Sequence, residues 1–232
     1  MSGKTITIEG QDGSFSAYLA APASGKGPGV VVIQEIFGVN AVMRGIADRI
    51  AKAGYFALCP DLFWRIEPGI DITDKTDAEW KRAFELFQAF DVDKGIADIQ
   101  ATIAALRGVP GCSGKIGAVG YCLGGLLAYL TATRTDVDCA VGYYGVGIDG
   151  KLDEAAKIGK PLLLHIAAKD EYVNPAAQQK VRAALAGNPL VSTLAYADDN
   201  HAFAREGGKH YSARSAGLAN AASEAFFKAY LG

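Results

Sequence analysis

Hydrophobic positions along this chain switch between two periods. Lys4–Glu9 and Phe15–Ala20 alternate polar and apolar residues around Gln11-Asp12-Gly13, the pattern of a β-hairpin. Gly29-Val30-Val31-Val32-Ile33-Gln34-Glu35 opens instead on a β-branched run, the mark of a strand covered on both faces. Val42–Ala53 follows with helical spacing, Tyr55–Cys59 returns to strand, and Pro60-Asp61 ends it. Residues 61–75 carry neither period, and an irregular excursion of that length is a candidate lid. Helical patterns cover about 76–90 and 92–107 and stop at Gly108-Val109-Pro110-Gly111. Beyond them the alternation continues: strand Lys115–Gly120, helix Leu123–Thr133, strand Asp138–Tyr144 and a helix near 151–158. Strand Pro161–Ala168, helix 175–186, a strand near 191–196 and an Ala-rich helix from about 209 to 230 complete the chain. Strands alternating with helices predict an α/β fold of about eight mostly parallel strands with helices on both faces, led by an antiparallel hairpin. No fixed-period repeat, low-complexity tract or linker interrupts the pattern, so residues 1–232 are expected to form a single domain.

Composition narrows the possible partners. The chain has 232 residues, 50% hydrophobic and 21% charged, which suits a globular core, and 28 glycines, which call for many tight turns. With 23 basic and 25 acidic residues the net charge is −2. That balance supplies no counterion-releasing basic face, so neither nucleic acid nor an anionic membrane is expected as a partner. The longest apolar runs fall far short of the roughly 20 residues of a membrane span. Met1–Glu9 alternates polar and apolar residues and reads as a strand rather than a signal peptide, which makes the cytoplasm the expected location. Cys59, Cys112, Cys122 and Cys139 form no C-x-x-C pair and have no histidine at ligand spacing. A disulfide framework and a structural zinc site are both disfavoured, leaving packing residues or a nucleophile.

In open α/β sheets ligands bind beyond the carboxyl ends of the strands, which singles out the residues after Glu35, Gly120, Ala168 and Tyr196. Gly120-Tyr121-Cys122-Leu123-Gly124-Gly125 joins a short strand to a helix, the context of a nucleophile elbow with cysteine in the usual serine position. A thiolate there is favoured by the positive end of the helix dipole; the bland alternative is a buried cysteine in a Gly-rich turn. Asp170 follows the apolar strand and could be a helix cap, although Asn174-Pro175 already supplies a start signal for the next helix. Of the three histidines, His165 lies within an apolar strand, as a satisfied core group would, and His210 begins the final helix. Only His201 sits in a loop at the functional edge. Nucleophile, acid and histidine in that order are the chain order of the α/β-hydrolase triad. His201 is then the general base towards Cys122, and Asp170 fixes its tautomer and stabilises the imidazolium. The backbone N–H of Leu123, with that of Ile36 as second donor, would hold the oxyanion. Glu35, a carboxylate at the end of a buried strand, is either salt-bridged to Arg44 or Arg205 or hydrogen-bonded to the Cys122 thiol as its proton acceptor.

The stretches Gln34-Glu35-Ile36-Phe37-Gly38-Val39-Asn40, Cys59-Pro60-Asp61-Leu62, Gly120–Gly125, Gly142-Tyr143-Tyr144-Gly145 and His201-Ala202-Phe203-Ala204-Arg205 resemble the dienelactone hydrolase (carboxymethylenebutenolidase) family. The likeness runs from about residue 5 to the end, in order. It implies a monomeric, cofactor-free α/β-hydrolase that opens an unsaturated, carboxylate-bearing lactone in the bacterial degradation of chloroaromatics through chlorocatechols. Carried over, Cys122 is the nucleophile, His201 the base, Asp170 the orienting acid, and Glu35 the group that keeps Cys122 a thiol until substrate binds. Phe37, Tyr144 and Arg205 would contact substrate. One departure stands out: where the chlorocatechol-pathway members have a second carboxylate-binding arginine, this chain has Trp80. Lys81 and Arg82 are adjacent, but each helical step rotates the side chain by about 100°, so neither points where Trp80 points. The alternatives are therefore a related cysteine-dependent carboxylesterase or thioesterase with another small substrate, and a hydrolase-fold ligand-binding protein without catalysis. A dinucleotide binder is set aside, because no G-x-G-x-x-G follows an early strand.

Overall fold

The computed structural model describes residues 3–232; Met1 and Ser2, the start of the segment read above as strand, lie outside the described residues. An eight-stranded, mostly parallel sheet with helices, an α/β fold, is formed by β1 (Lys4–Gly10), β2 (Gly13–Ala20), β3 (Gly27–Ile33), β4 (Phe56–Pro60), β5 (Cys112–Tyr121), β6 (Cys139–Tyr143), β7 (Leu162–Ala167) and β8 (Val191–Tyr196). The helices are α1 (Ala41–Lys52), α2 (Asp77–Ala89), α3 (Val92–Arg107), α4 (Leu123–Arg134), α5 (Pro175–Leu185) and α6 (Ala213–Leu231). The chain divides into two compact units, Met1–Ala118 and Val119–Gly232, with β5 spanning the division.

In the first unit the strand order is β1-β2-β4-β3, then the start of β5. β1 and β2 pair antiparallel with Gly10 opposite Gly13, which leaves Gln11-Asp12 as the turn. β3 pairs parallel with β4 through the α1 crossover. Val30, Val31, Val32 and Ile33 are fully buried, as a β-branched run in a sheet covered on both faces must be. Asn40 caps α1 by accepting the Met43 N–H at 3.1 Å.

Residues 61–75 are irregular, as the sequence predicts, and several hydrogen bonds tie them to the loop after β3. Asp71 bridges Gly38, the Ile72 N–H reaches the Phe37 carbonyl at 3.2 Å, and Asn40 Nδ2 donates to the Ile72 carbonyl at 2.9 Å. Arg44 pairs with Asp71 at 2.7 Å, and buried Gln34 accepts the Leu62 N–H at 3.0 Å. Gly38 has φ +75°, and a Cβ there would lie 1.9 Å from the Ile70 carbonyl oxygen, so only glycine lets this segment approach β3.

The second unit continues the order β5-β6-β7-β8, with β6, β7 and β8 parallel and in register at Tyr143↔His165 and Ala167↔Tyr196. Parallel pairing brings the carboxyl ends of these strands to one edge. α4 is apolar almost all round and correspondingly buried. Two sequence-based elements need correction. The helix expected near 151–158 is a 3-10 helix over Ile148–Lys157, broken at Lys151 (φ −127°, ψ 18°), with Gly147 in the left-handed region just before it and Gly150 beside the break. The last helix begins at Ala213 and not at 209, because Ser212 caps it and turns at Gly208 and Tyr211 occupy the preceding residues. Among the described residues no helix is long and apolar enough to cross a membrane.

Candidate active site

Cys122 is the single residue between β5 and α4, and its backbone is held at φ 56°, ψ −113°. Positive φ in a residue with a Cβ costs about 1–2 kcal/mol and persists only where the surroundings over-determine it. Here the Cys122 N–H donates to the Tyr143 carbonyl at 3.1 Å, while its own carbonyl accepts from Gly125 at 2.9 Å and from Leu126 and Val146 at 3.3 Å. The turn is tight enough that a Cβ on Gly120 would fall 1.8 Å from the Gly124 oxygen. Leu123 opens α4, so its N–H has no intrahelical acceptor and points with the positive end of the helix dipole.

Asp170 lies in the loop after β7, 6% exposed, with every oxygen engaged. Its Oδ1 accepts the N–H groups of Tyr172 at 2.8 Å and Val173 at 3.1 Å, and its Oδ2 is 2.9 Å from His201 Nδ1. It caps no helix: Asn174 caps α5. His201, in the loop after β8, is 3% exposed. With Nδ1 committed to Asp170, its Nε2 is the nitrogen left for the hydrogen bond to the Cys122 side chain. Burial disfavours the imidazolium, but the charge of Cys122 and the hydrogen bonds that the ring donates to Asp170 and Cys122 outweigh it, and the His201 pKa is pushed up to about 10. The elbow, the acid and the histidine are thus one connected site.

Two residues missed by sequence reasoning shape this site. Asn200 Oδ1 accepts the N–H groups of Glu171 at 3.0 Å and His201 at 2.7 Å, lacing the aspartate loop to the histidine loop. The Tyr172 ring meets the His201 ring edge-on at 4.8 Å, and the Tyr144 ring meets it edge-on at 5.0 Å. Burial raises the Tyr172 pKa, with Glu171 and Cys122 adding to the rise and Arg205 opposing it, which puts this phenol within the field of both Cys122 and Arg205. No periodicity marks either residue; their only signal is adjacency to Asp170 and His201. Tyr144, at φ 38°, and Ala202, at φ 61°, are further left-handed residues beside the histidine. Arg205 is 7% exposed, and its N–H closes a turn onto the Ala202 carbonyl at 2.9 Å.

The other histidines have different surroundings. His165 is buried with both ring nitrogens hydrogen-bonded, as expected of a core group. His210 precedes α6 and does not begin it; its Nδ1 lies 3.3 Å from the His201 carbonyl and 3.5 Å from Glu171 Oε1.

The remaining candidates belong to the first unit. Glu35 and Ile36 are buried in the loop after β3, which ends at Ile33 and not at Glu35 as the apolar run suggests. Arg44 is bound to Asp71 and to the Val39 carbonyl. Trp80 lies edge-on to Phe37 at 5.1 Å and stacks on Phe84 at 5.6 Å, and its indole N–H donates to the Asp74 carbonyl at 3.1 Å. Its polar handle is consumed within the chain, leaving an aromatic wall. Arg82 is bound to Glu67 and Glu85, in keeping with its different direction on α2. Among the described residues no group of three His, Cys, Asp or Glu side chains is gathered as metal ligands would be.

One mutational consequence is direct. Asp170→Asn would turn an amide donor or a weaker acceptor towards His201 Nδ1 and disfavour the tautomer that presents Nε2 to Cys122. It is expected to lower kcat by about 10³-fold or more with little change in KM. Steady-state kinetics on any ester turned over by the wild type read this directly, and a drop below tenfold would remove Asp170 from the site.

A model of the dienelactone hydrolase family matches residues 15–231. A protein of Azospirillum brasilense, provisionally named carboxymethylenebutenolidase, is 52% identical over 227 residues, covering 96% of each chain. Carboxymethylenebutenolidase of Pseudomonas putida is 40% identical over 216 residues, covering 93% of this chain and 92% of that one. Among solved structures, a provisionally named dienelactone hydrolase from Klebsiella pneumoniae superposes with a TM-score of 0.84 at 26% identity, over 99% of this chain and 100% of that one.

Proposed function

The chain belongs to the dienelactone hydrolase family, and from that membership and the geometry at Cys122 we propose that it opens 4-carboxymethylenebut-2-en-4-olide to maleylacetate with a Cys122-His201-Asp170 triad, in chlorocatechol breakdown. That it is a hydrolase follows from its relatives. The observation that carries the mechanism is His201, bonded to Asp170 through Nδ1 at 2.9 Å and to Cys122 through its other nitrogen. The thiolate adds to the lactone carbonyl carbon, and the developing oxyanion is held by the Leu123 N–H. The ring C–O bond then breaks, and the departing enolate oxygen takes the proton carried by His201. Water, deprotonated by His201, attacks the thioester; the thiolate leaves and one water has been consumed. The enol released by ring opening rearranges to the ketone. Arg205, a buried cation two residues beyond Phe203, is the group proposed to hold the substrate carboxylate, with Tyr144 lining the site. Ile36, as second oxyanion donor, is proposed from its place after the third strand, and Glu35, as the group that holds Cys122 as a thiol, from that place and the family resemblance together. One family model running through 15–231 supports treating the chain as a single functional domain.

Trp80 favours a second reading, hydrolysis of a different small ester, because its N–H is already donated to Asp74 and its ring offers an apolar surface. The wild-type protein assayed on the dienelactone by loss of ultraviolet absorbance, beside a simple aryl ester, separates the two. Turnover of the lactone is expected. Turnover of the aryl ester alone would move the protein to the second reading, and silence on both would point to ligand binding without catalysis.

A further inference from the structure

Five buried or half-buried polar side chains of the second unit form one hydrogen-bonded network where α6 covers β6 and β7. His165 Nδ1 lies 2.9 Å from the Tyr196 hydroxyl, and its Nε2 lies 2.9 Å from Ser223 Oγ. Ser223 Oγ is 2.7 Å from the Tyr143 hydroxyl, which donates to Asn220 Oδ1 at 3.1 Å. Counting protons gives the network a direction. Burial pushes His165 down to about 3, so the ring is neutral and carries one proton. Tyr143 spends its hydrogen on Asn220, so Ser223 must donate to Tyr143 and accept from His165 Nε2–H. Nδ1 is then bare and accepts from the Tyr196 hydroxyl.

The same residues hold the active site through their backbones. The Tyr143 carbonyl accepts the Cys122 N–H at 3.1 Å, and the His165 carbonyl accepts the N–H of Tyr144 at 2.8 Å, whose ring walls His201. The Tyr196 carbonyl accepts the Ala168 N–H at 3.0 Å, two residues before Asp170, and the Tyr196 ring packs on Phe203 at 4.6 Å, two residues after His201. Apolar side chains would fill this interface without fixing the slide of α6 along the strands, whereas directional bonds between buried groups allow one register.

We infer that Ser223 is a positioning residue for the Cys122–His201–Asp170 site, acting through His165, Tyr143 and Tyr196, whose carbonyls hold the elbow and its neighbouring loops. This rests on the reading of Cys122 as the nucleophile. A misplacement of even 1 Å can cost about 10²-fold in rate, so Ser223→Ala is expected to lower kcat roughly tenfold with KM within about twofold. It is also expected to move the pH midpoint of Cys122 alkylation by iodoacetamide upwards by about half a unit or more, since weaker support from the imidazole leaves the thiol protonated to higher pH. Peptide-level mass spectrometry separates Cys122 from Cys112, which is also partly exposed. A purely structural Ser223 would lower Tm while leaving kcat and the alkylation profile of the folded protein unchanged, and that result overturns the inference. If Ser223→Ala does not fold, Tyr196→Phe, which removes one hydroxyl from a half-buried ring, is expected to shift the profile in the same direction; an unchanged profile there overturns it equally. Alkylation needs no substrate, so failure of the proposed lactone activity would leave this outcome readable.

Discussion

Cys122→Ala is expected to abolish hydrolysis, lowering kcat by at least about 10³-fold, while the protein stays folded. The proposed nucleophile is lost outright, and the proposed oxyanion donor and binding groups that remain would account for only a small residual rate. Folding is spared because alanine adopts the same φ of 56° at a cost close to that of cysteine, and the backbone hydrogen bonds of residue 122 do not involve the side chain. Tm is therefore expected to stay within a few degrees of wild type. Activity above a tenth of wild type would show that another group attacks the substrate. The same variant tests the electrostatics. The charge and hydrogen bond of Cys122 both raise the His201 pKa, so removing the thiol should lower it from about 10, measurable from the imidazole resonances across a pH titration. A His201 titration that does not move would mean that Cys122 and the imidazole are not coupled.

Gly120→Ala should be strongly destabilising. The added Cβ would fall 1.8 Å from the Gly124 oxygen, 2.3 Å from its carbonyl carbon and 3.1 Å from its Cα. All three are backbone atoms, so no side chain can swing aside; relief requires pulling the start of α4 away from the end of β5. A loss of at least ~4 kcal/mol is expected, out of a total stability of only about 5–15 kcal/mol. In a chain of this size that lowers Tm by roughly 10 °C or more, or prevents soluble expression. Gly217→Ala is the control: a Cβ there meets nothing within 4 Å, and an exposed helix interior favours alanine by up to about 1 kcal/mol. Thermal melts of the two variants should move in opposite directions. A Gly120→Ala protein that melts with wild type would mean that the elbow is looser than its geometry.

How much of this was legible beforehand depends on the range of the interaction concerned. The β-branched run before Gln34, the helix spacing of Val92–Arg107 and the hairpin at Gln11-Asp12 are decided by neighbours a few residues apart, and they form where expected. Segments with weak local signals were placed less well. The 3-10 helix at Ile148–Lys157 and the delayed start of α6 turn on individual hydrogen bonds and a Ser212 cap.

By itself, then, the sequence determined the α/β alternation, the glycine-flanked elbow at Cys122 and the order in which cysteine, aspartate and histidine follow the strand ends. These are one-dimensional properties, set by periodicity, by the steric need for glycine and by the rule that strand termini carry the site. Only the tertiary structure decided which nitrogen of His201 faces Asp170, that Tyr172 and Asn200 belong beside it, and that residues 61–75 are tied to the loop after β3. It alone brought His165 to Ser223 and Tyr196, since His165 and Ser223 lie 58 positions apart and meet only once α6 covers the sheet. Periodicity tells a residue which face to occupy; its partner across that face is chosen by the closure of the whole chain, where directional hydrogen bonds must be satisfied together.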